Sequence, residues 1–139
     1  MQPRPTEQRT PDAGTAAVEL ALVLPFVLLL VFGVIDFGRM LNAQITITQA
    51  AREGARWAAL GQPGVPARVA ASAPALTPAP GAAVTACPAN APVDANARVV
   101  VSYTFSFVTP FAAISGLLGG GPTPGTVTLT STGVMRCGG

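Results

Sequence analysis

The chain contains no histidine and no lysine; all eight of its basic residues are arginine, and only 10% of its 139 residues are charged. Those absences exclude Ser-His-Asp and Cys-His catalysis, histidine metal sites, the HExxH zinc helix, the phosphate-binding lysine of a P-loop and Schiff-base chemistry. An ordinary soluble domain is about 25% charged, so the material for a typical water-facing surface is missing. A net charge of +2 provides no electrostatic footprint for nucleic acid. No cofactor is implied. After Arg68 the only charges are Asp94, Arg98 and Arg136, too few and too scattered for an active site, so an enzyme is not expected. The Ala, Arg, Gly and Pro bias has the look of a GC-rich bacterial genome.

What is present is unevenly placed. Residues 1–13 are polar, carry three prolines and read as a disordered leader. Ala16 to Ile35 then runs AAVELALVLPFVLLLVFGVI, interrupted only by Glu19, Pro25 and Gly33. Twenty residues at 1.5 Å rise cover roughly 30 Å, the thickness of a bilayer's hydrocarbon core. A cleaved secretory signal is the alternative, but its apolar region is about 7 to 15 residues and ends in a turn. Here the run passes without a break into a second helical stretch, Asp36 to Leu60.

That stretch has a helical period. Phe37, Met40, Ile47, Ala51, Gly54 and Ala58 form one stripe, with Gln44 intruding, and Asp36, Arg39, Thr46, Gln49, Glu53 and Arg56 lie on the other side. The apolar stripe needs a partner, and Glu53 is expected to pair with Arg56 at i,i+3 on a solvated face. Residues 61–97 hold seven prolines and read as connecting segment, with a helical turn or two around Ala67 to Ala73. From Arg98 the alternation of Val99, Val101, Tyr103, Phe105 and Phe107 against Ser102, Thr104 and Ser106 predicts a half-buried antiparallel strand ending before Pro110. A glycine-rich loop through Gly116 and Gly119 to Gly121 leads to a second strand, Gly125 to Arg136, with Val127 and Leu129 on its apolar face. Ala83 to Cys87 is a candidate third strand. The expected fold is α+β: a helix that is transmembrane and then amphipathic over 15–60, a connecting segment over 61–97 and a small antiparallel β-rich domain over 98–139.

Arginine counts do not orient the span, since Arg4 and Arg9 precede it and Arg39 and Arg52 follow it. Cys87 and Cys137, the only cysteines, both lie on its C-terminal side, next to expected strands. A bond closing a loop of about 50 residues stabilises by roughly 4 kcal/mol, a large share for so small a domain. Such a bond persists outside the reducing cytosol. Two separate buried thiols are the alternative. With the bond, the N-terminus is cytoplasmic and the C-terminal domain extracytoplasmic, in a single-pass protein of the cell membrane.

A carboxylate within an apolar span is expensive, so Glu19 needs a partner or a function. Near the start of the helix it reaches the interface and favours the positive helix end. Gly14, followed five residues later by Glu19 at the membrane boundary after a short charged leader, resembles the processing site of type IV pilins and pseudopilins. Over Gly14 to Leu60 the chain resembles the TadE-like proteins, pseudopilins of the tight-adherence (Flp) pilus system. The matching parts are Ala17-Val18-Glu19, Pro25, Phe37-Gly38-Arg39 and Ala50-Ala51-Arg52-Glu53-Gly54-Ala55-Arg56. Beyond Leu60 only the cysteine pair, the strand VVVSYTFSFVTPF and the terminal MRC are similar, and in a general way.

The resemblance implies removal of residues 1–14 by a prepilin peptidase cutting between Gly14 and Thr15. It also implies pairing of Glu19 with the Thr15 amine of a neighbouring subunit, a minor role in pilus assembly, and contact with other pilins or pseudopilins and the membrane assembly platform. Ala17 and Ala21, one turn apart, permit close helix approach, and Pro25 removes one hydrogen bond from the span. Arg52, Glu53, Gly54 and Arg56 form a candidate packing face, for the domain itself or for another pseudopilin. The competing reading is an unprocessed single-pass anchor that displays a small extracytoplasmic binding domain.

Overall fold

The computed structural model describes residues 12–92, 94–108 and 125–137. The expected leader up to residue 11, the glycine-rich loop through Gly116 and Gly119 to Gly121, and the strand terminator Pro110 lie outside the described residues.

Helix α1, Asp12–Ala59, is continuous for 48 residues and passes through Pro25 without interruption. Its first part is exposed all round: Val18, Leu22, Phe26, Leu30 and Val34 each keep more than half of their surface uncovered. This is the pattern of a helix whose solvent is not water, because no other element among the described residues covers an apolar surface of that size. The helix ends in a Schellman turn. Gly61 has φ +64°, its N–H donates to the Ala58 carbonyl, and the Gln62 N–H reaches back to Trp57.

Helix α2, Val65–Ala71, follows at once and turns its Val65 and Val69 inward. Strands β1 (Gly81–Thr85), β2 (Asn96–Ser106) and β3 (Thr126–Arg136) form an antiparallel meander in the order β1-β2-β3. The register pairs Val84 with Val99, Val101 with Ser131 and Tyr103 with Leu129. Directly opposed residues share a face, so Ala97, Val99, Val101, Tyr103 and Phe105 lie with Leu129 and Gly133 on the side packed against α1. The other side carries Ser102, Thr104, Thr128, Thr130 and Thr132, all exposed.

The α+β expectation holds: a long apolar N-terminal helix is followed by a small antiparallel three-stranded sheet. Three details differ. The segment 61–97 contributes α2 and β1, and Val65, Val69 and Ala73 are buried in the same core as Val99 and Val101. A helical turn near Ala67 and a strand near Ala83 were readable, but alanine and proline hid their burial, because such a run shows little contrast between a core face and a solvent face. The third strand begins at Gly81, two residues before the expected Ala83, and stops at Thr85. The buried face of α1 keeps Ile47, Ala51, Gly54 and Ala58 of the expected stripe and adds Ala43, Ala50 and Ala55, but its lower end differs: Phe37 is 57% exposed, and Asp36, placed on the polar side by its chemistry, is 2% exposed. Small side chains let the sheet approach the helix backbone. The closest approach is at Gly133, where a Cβ would overlap the Ala51 carbonyl.

Candidate functional site

Two regions of α1 carry the residues singled out from sequence. At the helix start, Gly14 and Thr15 are exposed, and Glu19 lies one turn beyond Thr15. Gly14, Thr15, Val18, Glu19 and Leu22 line one shallow surface hollow. Helical geometry already exists at Asp12, so the Gly14–Thr15 junction sits inside the first turns of α1 rather than ahead of it. Nothing approaches within 4 Å of the position a Cβ on Gly14 would take. Glu19 makes no ion pair among the described residues.

The second region, Arg52 to Arg56, is divided by the fold. Gly54 points into the domain, and a Cβ there would stand 2.6 Å from Cγ2 of Val69 and 3.2 Å from Cγ1 of Val99. Ala51 and Ala55 are buried beside it. Arg52 and Arg56 are exposed on the opposite side and make no ion pair among the described residues. Glu53 does not pair with Arg56. Its Oε1 accepts from Nε and Nη2 of Arg68 on α2, at 3.0 and 2.6 Å, and the Arg68 guanidinium lies 5.2 Å from the centre of the Trp57 ring. The Trp57 indole N–H in turn donates to the Pro63 carbonyl at 3.0 Å. A partner fifteen residues away on a second helix outcompetes the local i,i+3 contact, because the aromatic platform fixes the guanidinium in place. Part of this face therefore holds the protein's own domain, and the two arginines remain outward.

No local pattern in the chain signals the role of Asp36. Its carboxylate accepts from Arg39 at 3.1 Å and from the Val108 backbone N–H at 3.4 Å, joining α1 to the chain just past β2. Arg39 also lies 5.3 Å from the centre of the Phe105 ring. A buried carboxylate needs such partners, and here they come from both elements. Beside this pair an open cleft of about 260 Å³ is lined by Arg39, Asn42, Thr46, Thr77, Tyr103 and Phe105.

Cys87 and Cys137 form a disulfide with Cα atoms 5.8 Å apart, closing a loop of sequence separation 50. It ties the segment after β1 to the end of β3. The Cys137 N–H also donates to the Ala95 carbonyl at 2.9 Å.

Fold and site together define a small α+β protein in which one long apolar helix among the described residues is compatible with a single-pass membrane anchor. Residues 14–56 match the family model described as TadE-like protein, the family that the sequence of α1 resembles. No curated protein and no solved structure matches the chain.

Proposed function

We propose that this protein is a minor, non-catalytic, pseudopilin-like component that takes part in assembling a tight-adherence (Flp) pilus. The observation that carries this reading is the placement of Gly14, Thr15 and Glu19 at the exposed start of an apolar helix, within the segment that matches the TadE-like family. In this proposal a prepilin peptidase cuts between Gly14 and Thr15. The new Thr15 amine and the Glu19 carboxylate then meet across neighbouring helices. Two charges that are each costly in an apolar environment become tolerable as a hydrogen-bonded pair, and any other register leaves both unpaired. The pair acts as a register device, and the outward Arg52 and Arg56 are available to other pilins, pseudopilins or the assembly platform.

The disulfide supports an orientation. Such a bond persists in an oxidising compartment, and this supports a domain outside the cytoplasm with the N-terminus inside.

Mass spectrometry of the protein isolated from membranes tests the processing step. A mature N-terminus at Thr15, lost in Gly14→Ala, is the expected result. Gly14→Ala leaves open space around the new methyl group, so the domain itself is not disturbed. An intact leader in the mature protein would defeat the pseudopilin reading and favour an unprocessed anchor displaying its domain.

A further inference from the structure

The two sides of α1 stop being apolar at different heights. On the side that faces the domain the change comes at Asp36, which the fold encloses, and the sheet above it carries an outer face of serine and threonine that belongs in water. On the opposite side it comes much later. Ile45 lies nine residues beyond Asp36, and at about 100° per residue that is half a rotation, so the two point in opposite directions. Leu41 and Ile45 are 47% and 58% exposed, Val34 and Gly38 continue the same line downward, and no element among the described residues covers it. Between Glu19 and Arg52 the only charged residues are Asp36 and Arg39, and the domain-free line carries neither.

We propose that α1 leaves the bilayer obliquely, with the stripe Phe37, Leu41 and Ile45 lying down in the lipid interface and the domain lifted on the opposite side. The occupant of the stripe is lipid because the stripe is continuous with the exposed apolar surface of the span below it. Nine residues give an offset of about 14 Å along the axis, of which one polar headgroup layer absorbs about 6 Å. The remaining offset of about 8 Å across a helix about 10 Å wide corresponds to a tilt of about 40°, the upper end of what membrane helices show. Asn42 and Thr46 flank the stripe toward the cleft beside Arg39, at the edge where lipid gives way to water. The proposal rests on the reading of residues 14–35 as a membrane span.

Both native cysteines are in the disulfide, so a single added cysteine gives a clean label site. The full chain, reconstituted in phosphatidylglycerol–phosphatidylethanolamine vesicles, is spin-labelled in turn at Leu28→Cys, Leu41→Cys, Ile45→Cys, Thr46→Cys and Gln49→Cys. Collision with oxygen, which concentrates in lipid, is compared with collision with a water-soluble nickel chelate. Oxygen preference at Leu41 and Ile45, reversing to nickel preference at the adjacent Thr46 and at Gln49, is the expected pattern. An upright helix gives neighbours such as Ile45 and Thr46 the same preference, and that result overturns the tilt. Shielding of Ile45 from both probes also overturns it, in favour of a protein partner on the stripe. Nickel preference at Ile45 with oxygen preference at Leu28 removes the tilt and leaves the span, whereas nickel preference at Leu28 removes both.

Discussion

Replacing Gly133 by alanine adds one methyl group where β3 meets the backbone of α1. The new Cβ would overlap the Ala51 carbonyl carbon and oxygen and press on the Arg52 nitrogen. None of these is the end of a flexible side chain, so relief requires the sheet and the helix to separate. Separation loosens the cluster of Ile47, Ala50, Ala51, Ala55, Val99 and Val101 that fills the space between them. Overpacking of this kind costs about 1–3 kcal/mol, and a backbone obstacle puts Gly133→Ala at the upper end. Alanine's smaller unfolded-state entropy returns about 0.4–1 kcal/mol, leaving a net loss of about 2 kcal/mol. Two other glycines calibrate the result. Gly54→Ala meets valine side chains rather than backbone, a less rigid obstacle, so its loss is smaller. Gly61→Ala meets no atom but forces φ +64° on a residue with a Cβ, at a cost of about 1 kcal/mol. The assay is urea unfolding of the detergent-solubilised protein followed by fluorescence of Trp57, the only tryptophan, which sits at the contact of α1 with α2. A Gly133→Ala midpoint equal to the parent's, or above that of Gly54→Ala, would refute the close-packing account.

Two further perturbations follow from the same packing. Reduction of Cys87–Cys137, or replacement of both cysteines by serine, releases a loop of about 50 residues and lowers stability by up to about 4 kcal/mol; an unchanged thermal midpoint in reductant would contradict this. Asp36→Ala leaves the Arg39 guanidinium and the Val108 N–H without the carboxylate they bond and lowers stability by about 2–3 kcal/mol. Amide hydrogen exchange reads it directly, with faster exchange at Val108 expected.

The apolar run, the alternation in β2 and the cysteine pair were all legible in the chain, because each rests on local spacing or on residue type alone. Twenty apolar residues in a helix have a fixed length, and a period of two puts Val99, Val101 and Phe105 on one face whatever they pack against. The resemblance of residues 14–60 to the TadE-like proteins was equally a property of the sequence, and the family match falls inside that stretch.

Contacts between elements were decided elsewhere. Glu53 takes Arg68 because α2 folds back across α1, a geometry set by the turn at Gly61 and Gly64 and invisible to an i,i+3 rule. Asp36 is enclosed because the end of β2 reaches it, although its residue type argued for the solvated side. Residues 61–97 form a helix and a strand of the core because neighbours cover their alanines and valines, not because their own pattern demands it. Gly133, one glycine among fifteen in the chain, matters only because α1 passes against it. The sequence by itself determined the long apolar helix, the strand faces and the family resemblance, all short-range properties. Tertiary structure alone decided the enclosure of Asp36 at the lower end of the covered face and the partner of Glu53, because both depend on what approaches from far along the chain.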